Sequence, residues 1–219
     1  MYLRIELLSD AAFGRGDGVA GVVDSEVEHD SKTGLPFIKG RTIKGLMVEA
    51  CADIIFGLSR CCPKAHNSFY DVASDLFGIP GSDINSSGIL HFHAATLPSD
   101  FVSKIKQSEY KSHKILEALT DIRRQTAVDS KSDTPLDHSL RNIRVIIRKT
   151  VFHAPVTTDY PLDDKSLALL AACANTVHHA GQNRTRGLGY IKVTLEKLIK
   201  YDHKTCVTGF EQLVKEAVG

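Results

Sequence analysis

Alternation of apolar and polar residues predicts three strands along the chain. Residues 2–8 alternate strictly, with apolar side chains at each odd position from Leu3 to Leu7. This period of two is typical of a strand with one buried face. The segments 88–95 and 190–195 carry the same alternation over part or all of their length. Both are therefore predicted to be strands.

A spacing of three or four residues between apolar positions predicts two helices. The first covers residues 42–57, where Gly57 is the expected end. The second covers residues 163–179, and either Asp163 or Asp164 is expected to cap its first turn. Both helices should present an apolar stripe to the core.

The segments between these elements are less regular. Residues 58–74 contain Pro63 and a cysteine pair and are predicted to be an excursion on the surface. Residues 100–119 are predicted to be partly helical, and a short helix is expected at 209–217. Residues 120–150 begin as a polar stretch and continue into a strongly β-prone run, which favours a protruding hairpin over a domain boundary.

The order of these elements indicates an α+β fold. The order is compatible with a ferredoxin-like or RNA-recognition-motif-like sandwich, in one domain over residues 1–219. It runs strand, loop, helix, strand, β-rich arm, strand, helix, loop and strand. The composition, 42% hydrophobic and 24% charged, excludes disordered, collagenous and disulfide-rich classes. No apolar run reaches the length of a membrane span, and the N-terminus lacks signal-peptide features, so we expect a cytoplasmic protein without a membrane partner.

The net charge conceals a segregation of charges along the chain. The 27 Lys and Arg residues balance 26 Asp and Glu residues to give a formal charge of +1. Yet residues 31–48, 138–158 and 165–195 contain no acid, whereas acids cluster in residues 17–30. If the three acid-free stretches meet in space they form a positive groove; separate solvated faces are an equally good interpretation.

The cysteines indicate a reducing compartment. Their number is five, which is odd, and no signal peptide accompanies them. Cys61, Cys62 and His66 are a conceivable zinc set, but adjacent cysteines chelate poorly and a fourth ligand is not evident. We therefore do not expect zinc as a cofactor.

Two glycine-rich blocks have the features of phosphate-binding segments. In GQNRTRGLGYIKV, residues 181–193, a turn carrying Arg184 and Arg186 leads from a helix to a strand. In GLPFIKGRTIKGLM, residues 34–47, free N–H groups at a helix start are expected beside basic side chains. Those basic residues are Lys39, Arg41 and Lys44. Each block alone is equally compatible with a solvated turn or helix start.

An acidic loop precedes the second of these blocks. It contains Asp24 and Asp30. Carboxylates beside a phosphate site can bind a divalent metal or position a ribose 2′-hydroxyl for attack on the adjacent phosphorus. Acids in a loop are otherwise most often solvated.

Taken in order, these blocks resemble a known family. Four blocks together resemble the RAMP superfamily (repeat-associated mysterious proteins) of CRISPR systems. They are the glycine loop ending in Asp24, the segment DSKTGLPFIKGRTIKG, the segment DLFG before a strand, and the segment GQNRTRGLGYIKV. More narrowly, the chain is similar to the backbone subunit of type III effector complexes. The arm TAVDSKSDTPLDHSLRNIRVIIRKTVF resembles the thumb hairpin of that family. The resemblance covers nearly the whole chain apart from residues 97–119 and the tail.

The resemblance implies a fold and an activity. The fold is an RNA-recognition-motif-like palm with finger insertions and a thumb, here a thumb-like arm at about 120–150 and an insertion at about 58–74. The activity is divalent-metal-dependent cleavage of target RNA with Mg²⁺ or Mn²⁺, giving a 2′,3′-cyclic phosphate and a 5′-OH. Asp24 matches the catalytic and metal-binding aspartate, and Asp30 matches the second acid. The residues expected to contact RNA are Lys39, Arg41, Lys44, Arg141, Arg144, Arg184 and Arg186.

The resemblance also implies partners and leaves alternatives open. Copies or paralogues would stack along a guide RNA that pairs with target RNA, together with a large polymerase-like signature subunit, a small helical subunit and a guide-end-capping RAMP subunit.

Lys39, Arg41 and Thr42 stand where relatives often have proline and serines, and SDAAFGRGDG departs from a histidine-containing loop, which favours subtype III-D. A structural guide-binding subunit without nuclease activity is the alternative. A stand-alone guide-processing nuclease is disfavoured because the first strand-to-loop segment has no convincing catalytic histidine.

Overall fold

The computed structural model describes residues 1–79, 87–127, 129, 132–136, 139–196 and 202–218. Its strands are β1 (Tyr2–Leu7), β2 (Leu90–Phe92), β3 (Thr120–Gln125), β4 (Arg141–Ile146), β5 (Val151–Thr158) and β6 (Ile191–Glu196). Its helices are α1 (Gly40–Cys61), α2 (Pro63–Phe77), α3 (Ser99–Gln107), α4 (Ser112–Leu119), α5 (Asp164–Thr176) and α6 (His203–Val218).

The predicted first strand lies inside a four-stranded antiparallel sheet. The strand order is β2-β5-β1-β6. Ile5 of β1 lies opposite Phe152 of β5 on one side and Val193 of β6 on the other. With α1 and α5 as the crossovers, this order is that of the ferredoxin-like fold. The expected α+β architecture is confirmed.

The core lies between the sheet and the crossover helices. All odd-numbered residues of β1 are buried, whereas the even-numbered ones are half-buried, as the period of two predicts. Met47 of α1 and Leu170 of α5 belong to the same buried cluster as Leu3. The carboxylate of Asp163 accepts a hydrogen bond from the backbone N–H of Ser166 at 2.8 Å, so Asp163, not Asp164, caps α5.

The arm between β2 and β5 is a hairpin, as predicted. β3 pairs with β4 in antiparallel register, with Thr120 opposite Ile146. Asp10, after β1, anchors this hairpin: its carboxylate pairs with Arg123 and accepts the backbone N–H of Arg148. Partial burial alone would raise the pKa of Asp10, but these hydrogen bonds lower it overall. Of the predicted arm, residues 128, 130, 131, 137 and 138 lie outside the described residues.

The predicted surface excursion at 58–74 is wrong. Helix α1 continues through Gly57 to Cys61, and Pro63 occupies the first turn of α2, where proline is well tolerated. Phe69 of α2 is 2% exposed and belongs to the main core. The proline therefore starts a helix that packs on the core, and it does not mark a loop.

Three further boundaries differ from the prediction. The strand expected at 88–95 is only the three residues of β2. Helix α5 ends at Thr176, before the predicted residue 179, and α6 begins at His203, ahead of the predicted residue 209. Among the described residues, no helix has both the length and the apolar character needed to span a membrane.

Candidate nucleic-acid interface

Three segments that are distant in sequence form one cleft, called the main groove below. It has a volume of about 470 Å³. The segments are the loop after β1, the start of α1 and the turn after α5. The lining residues are Ala12, Phe13, Gly14, Glu28, Lys39, Thr42, Gly45, Leu46, Glu49, Gly181, Gln182 and Arg184.

Backbone contacts hold the loop and the turn together. Gln182 donates its backbone N–H to the carbonyl of Ala12 at 2.8 Å. Gly181 has a φ of +88°, and a Cβ there would lie 2.6 Å from the same carbonyl oxygen. Only glycine meets both conditions without strain. The glycine-rich block therefore brings its turn against the first loop.

The start of α1 offers its N-terminus to the groove. The cap residue Lys39 has no side-chain hydrogen bond to the helix, and the first turn contains no acid. The groove-lining positions of α1 are spaced three and four residues apart and share one face. On that face no atom outside the helix lies within 4 Å of the position that a Cβ of Gly45 would take. The groove therefore lies against an open face in the second turn of α1, near the positive end of the helix dipole, which suits a phosphate backbone.

The two cations of the main groove have carboxylate partners. Lys39 pairs with the buried Glu28, and Arg184 lies 3.5 Å from Glu49. The side chains of Arg184 and Glu49 are 48% and 57% exposed, so water screens this ion pair and the interaction is weak. An anion in the groove can therefore replace Glu49 as the partner of Arg184 at little cost.

A second cavity lies on the other side of the turn at Arg184–Arg186, at the loop end of the hairpin strands. Its volume is about 400 Å³. It is lined by Gln125, Thr126, Ala127, Ser139, Arg141, Ile143, Asn183, Thr185 and Arg186. Asn183 and Gly187 flank the turn with φ values of +56° and +77°, and Asn183 donates to the Gln125 amide oxygen at 3.3 Å. The turn thus directs Arg184 to one cavity and Arg186 to the other.

The remaining predicted cations are placed differently. Arg41 is exposed and Lys44 is half-buried, and neither residue lines the groove. Within the described part of the chain, ion pairs involve neither these two residues nor Arg141 and Arg186. These four charges remain open to an external anion.

Arg144 does not face either cavity. Its Nε lies 2.9 Å from Oε1 of Glu26, whose side chain is 2% exposed, and its Nη1 donates to the Thr120 hydroxyl at 3.2 Å. Only 11% of the Arg144 side chain is exposed. Its predicted contact with RNA does not fit this position, because its charge is already used inside the protein.

Asp24 is exposed and lies beside the loop end of the hairpin strands. Its backbone N–H donates to the carbonyl of Asn142 at 2.8 Å, and its Oδ2 accepts the N–H of Asn142 at 2.6 Å. The next residue, Ser25, accepts the N–H of Arg144 on its carbonyl at 3.0 Å. These bonds fix the aspartate against β4 while leaving its side chain accessible.

Asp30 has a local role and lies in another place. Its Oδ1 accepts hydrogen bonds from the backbone N–H groups of Lys32 and Thr33, and from the Thr33 hydroxyl. The bond from the Thr33 backbone is the main cause that lowers the pKa of Asp30. Asp30 lines a separate groove with Tyr2 and His153, which does not contain Asp24.

The donor set for a metal is correspondingly small. Within the described residues, no three or more His, Cys, Asp or Glu side chains are grouped as a metal site requires. Asp24 alone fits a hydrated Mg²⁺ that takes its remaining ligands from water and RNA phosphate, because Mg²⁺ is commonly held by one or two carboxylates plus phosphates. Of the zinc set considered above, Cys61 is exposed and donates to the Gly57 carbonyl, whereas Cys62 is buried.

Sequence reasoning missed several residues of the interface. Glu28 and Glu49 were not predicted as partners of the groove cations, and Gln182 was not singled out. No local signal marks Glu28, since Asp24, Glu26, Glu28 and Asp30 all stand at even positions and yet only Glu26 and Glu28 are buried. For Gln182, the signal was its place within the glycine-rich block.

Comparison with known proteins gives a family and a fold. A family model described as the RAMP superfamily matches residues 4–192. No curated protein sequence matches the chain. A chain in the cryo-EM structure of the apo state of a Type III-B Cmr-beta is similar, with 14% identity, a TM-score of 0.60, and coverage of 90% of this chain and 96% of that chain. A chain of the Type III-B Cmr-beta bound to cognate target RNA has 12% identity and a TM-score of 0.60, with coverage of 94% and 98%.

Proposed function

The chain belongs to the RAMP superfamily, and from this premise we propose that it is an RNA-binding backbone subunit of a type III CRISPR effector complex. It holds the guide RNA, and it cleaves complementary target RNA at Asp24 with a divalent metal. The main groove is the observation that carries this proposal, because it joins a helix N-terminus, glycine-rich backbone and basic side chains in one cleft. Two similar chains come from a Type III-B Cmr-beta, one of them bound to cognate target RNA, which supports an RNA partner.

The main groove suits a sugar–phosphate backbone more than a base edge. Its cations are accompanied by open glycine backbone, and phosphate contacts fix the position of a nucleic acid without reading its sequence. A phosphate entering the groove displaces Glu49 from Arg184. Sequence recognition is left to base pairing between guide and target, as in other guided effectors.

The two cavities extend the contact along the RNA. Arg184 lines the main groove and Arg186 lines the cavity at the loop end of the hairpin strands, so we expect adjacent phosphates to contact opposite sides of one turn. Arg141 adds a charge on the hairpin side, and Arg41 and Lys44 add charge on α1 outside the groove lining. Arg144 is excluded from this set, because it neutralises the buried Glu26.

Asp24 is the residue proposed for cleavage. It would hold Mg²⁺ or Mn²⁺ through its exposed carboxylate, and the hydrogen bond from the Asn142 N–H keeps that carboxylate at the loop end of the hairpin strands. The metal supplies Lewis acidity at the phosphate. Asp30 supports the turn before α1 through its bonds to Thr33 and does not share the site.

A structural subunit without nuclease activity is the second candidate. It is favoured by the donor set, because Asp24 is not accompanied by a cluster of metal-ligating side chains in the described residues. In either case the proposed partners are guide RNA, target RNA, neighbouring copies or paralogues and the other effector subunits. Subtype III-D remains a prediction from the sequence.

Cleavage of complementary RNA by the assembled complex separates the two candidates. Asp24→Asn keeps the size of the side chain and can still accept the hydrogen bond from Asn142, but it removes the charge. We expect this variant to lose cleavage at the sites served by this subunit, while Asp30→Asn, the matched control, cleaves them. Equal cleavage by wild type and Asp24→Asn would show that Asp24 is not catalytic.

A further inference from the structure

One side chain connects the main groove to the segment that carries Asp24. Gln182 lines the groove, and its Oε1 accepts a hydrogen bond from the hydroxyl of Ser25 at 3.0 Å. Ser25 follows Asp24 directly, and its carbonyl accepts the N–H of Arg144 on β4. The Asp24–Ser25 segment is therefore held by the hairpin on one side and by the groove on the other.

The chain leaves room for this connection at Gly14. A Cβ at position 14 would lie 2.4 Å from Nε2 of Gln182 and 2.8 Å from its Cδ. Any other residue would push the amide from its place. The amide thus crosses the glycine loop, with Oε1 toward Ser25 and Nε2 beside a residue that lines the groove.

We propose that Gln182 is a positioning residue through which guide RNA in the main groove orders the Asp24–Ser25 segment. Its Nε2 donates to the guide backbone, which fixes the amide, and its Oε1 then holds the Ser25 hydroxyl. The inference rests on the proposed function for the guide and for Asp24. It adds that guide occupancy regulates the placement of the carboxylate.

Variants of both partners isolate the connection. Gln182→Met keeps the length of the side chain but lacks the acceptor, and Ser25→Ala removes the donor without changing the groove lining. Gln182→Glu keeps an acceptor for the Ser25 hydroxyl and loses the amide donor. Ser31→Ala is the control, because Ser31 is exposed in the same acidic loop next to Asp30.

Hydrogen exchange of residues 139–146, with and without bound guide RNA, tests the ordering independently of cleavage. The N–H of Asn142 reports on Asp24, because its acceptor is Asp24 Oδ2. In the wild type and Ser31→Ala, guide binding should slow this exchange by about two- to fivefold, as expected for one solvent-exposed hydrogen bond. Gln182→Met and Ser25→Ala should lose the slowing, and their combination should have no larger effect than either alone.

The Mg²⁺ concentration for half-maximal cleavage gives the second readout. It should rise about two- to fivefold in Gln182→Met and Ser25→Ala, and also in Gln182→Glu, which keeps the acceptor for the Ser25 hydroxyl but cannot donate to the guide backbone. No guide-induced slowing in the wild type, or a normal response in Ser25→Ala, would overturn the inference. If Asp24→Asn cleaves normally, the proposed catalytic role fails instead, and the exchange experiment still decides the ordering by guide RNA.

Discussion

The buried ion pair of Arg144 and Glu26 links β4 of the hairpin to the acidic loop, and its contribution to stability can be tested directly. Replacing Arg144 by Met keeps the apolar stem and removes the charge that faces Glu26 across 2.9 Å. Because Glu26 is 2% exposed, it would remain as a buried carboxylate without its cation. Breaking a buried pair from one side costs about 3–5 kcal/mol. The lost hydrogen bond to Thr120 adds to this cost.

We therefore expect Arg144→Met to lower the free energy of unfolding by about 3 kcal/mol or more at pH 7. In a chain of this size, that corresponds to a fall in the melting temperature of about 6–12 °C. Urea denaturation followed by far-UV circular dichroism measures the first quantity, and a thermal scan measures the second. Adding Glu26→Gln to Arg144→Met should recover part of the loss, since the uncompensated charge is then removed.

Arg141→Met is the matched control, because Arg141 is exposed and lies on the same strand. Its effect on stability should stay within about 0.5 kcal/mol. Equal stability of the two variants would refute the structural role of Arg144. A loss of guide affinity in Arg144→Met without any loss of stability would instead support the original prediction of an RNA contact.

Further predictions concern backbone conformation and helix capping, each measured by urea denaturation. Gly57→Ala should stabilise the protein by about 0.5–1 kcal/mol, since Gly57 lies inside α1 with open space around its Cβ position. Gly34→Ala should destabilise it by more than about 1 kcal/mol, because φ is +73° and the added Cβ would lie 1.9 Å from the Ser112 carbonyl oxygen; equal effects of the two changes would contradict this reasoning. Asp163→Ala should cost about 1 kcal/mol at pH 7. Hydrogen bonds from the side chain and backbone of Ser166 lower the pKa of Asp163, so this contribution is present above the ordinary value of 3.8 and is lost as the pH falls through the lowered folded-state pKa. A penalty that stays constant down to pH 2 would contradict the capping role.

The strands of the sheet were predictable because their information is local. The period of two in β1 and β6 reports a single buried face, and the observed burial follows it residue by residue. The thumb-like hairpin was predictable for a similar reason, since a polar stretch leads into a β-prone run. Helix α2 was missed because Pro63 and the cysteine pair were interpreted as a loop, although Phe69 and Leu76 lie on one buried face.

The segments that form the interface were predictable from the sequence, but the ion pairs and hydrogen bonds between them were not. The glycine-rich blocks correctly marked the segments that line the main groove. Which cation is neutralised inside the protein depends on contacts between distant segments, such as Glu26 with Arg144, 118 residues apart. Nothing in the local sequence distinguishes Arg144 from Arg141. The same holds for Gln182, whose partner Ser25 lies 157 residues away.

The salt dependence of guide-RNA binding tests the central claim most directly. The comparison is between the wild type and the double variant Arg184→Gln with Arg186→Gln. Arg60→Gln is the control, about 30 Å along α1 from its N-terminus. The slope of log K against log salt concentration should become shallower by about 0.7 for each lost phosphate contact, hence by about 1.4 in the double variant, and remain unchanged in the control. A double variant with the wild-type slope would contradict the proposal that this turn holds the RNA backbone.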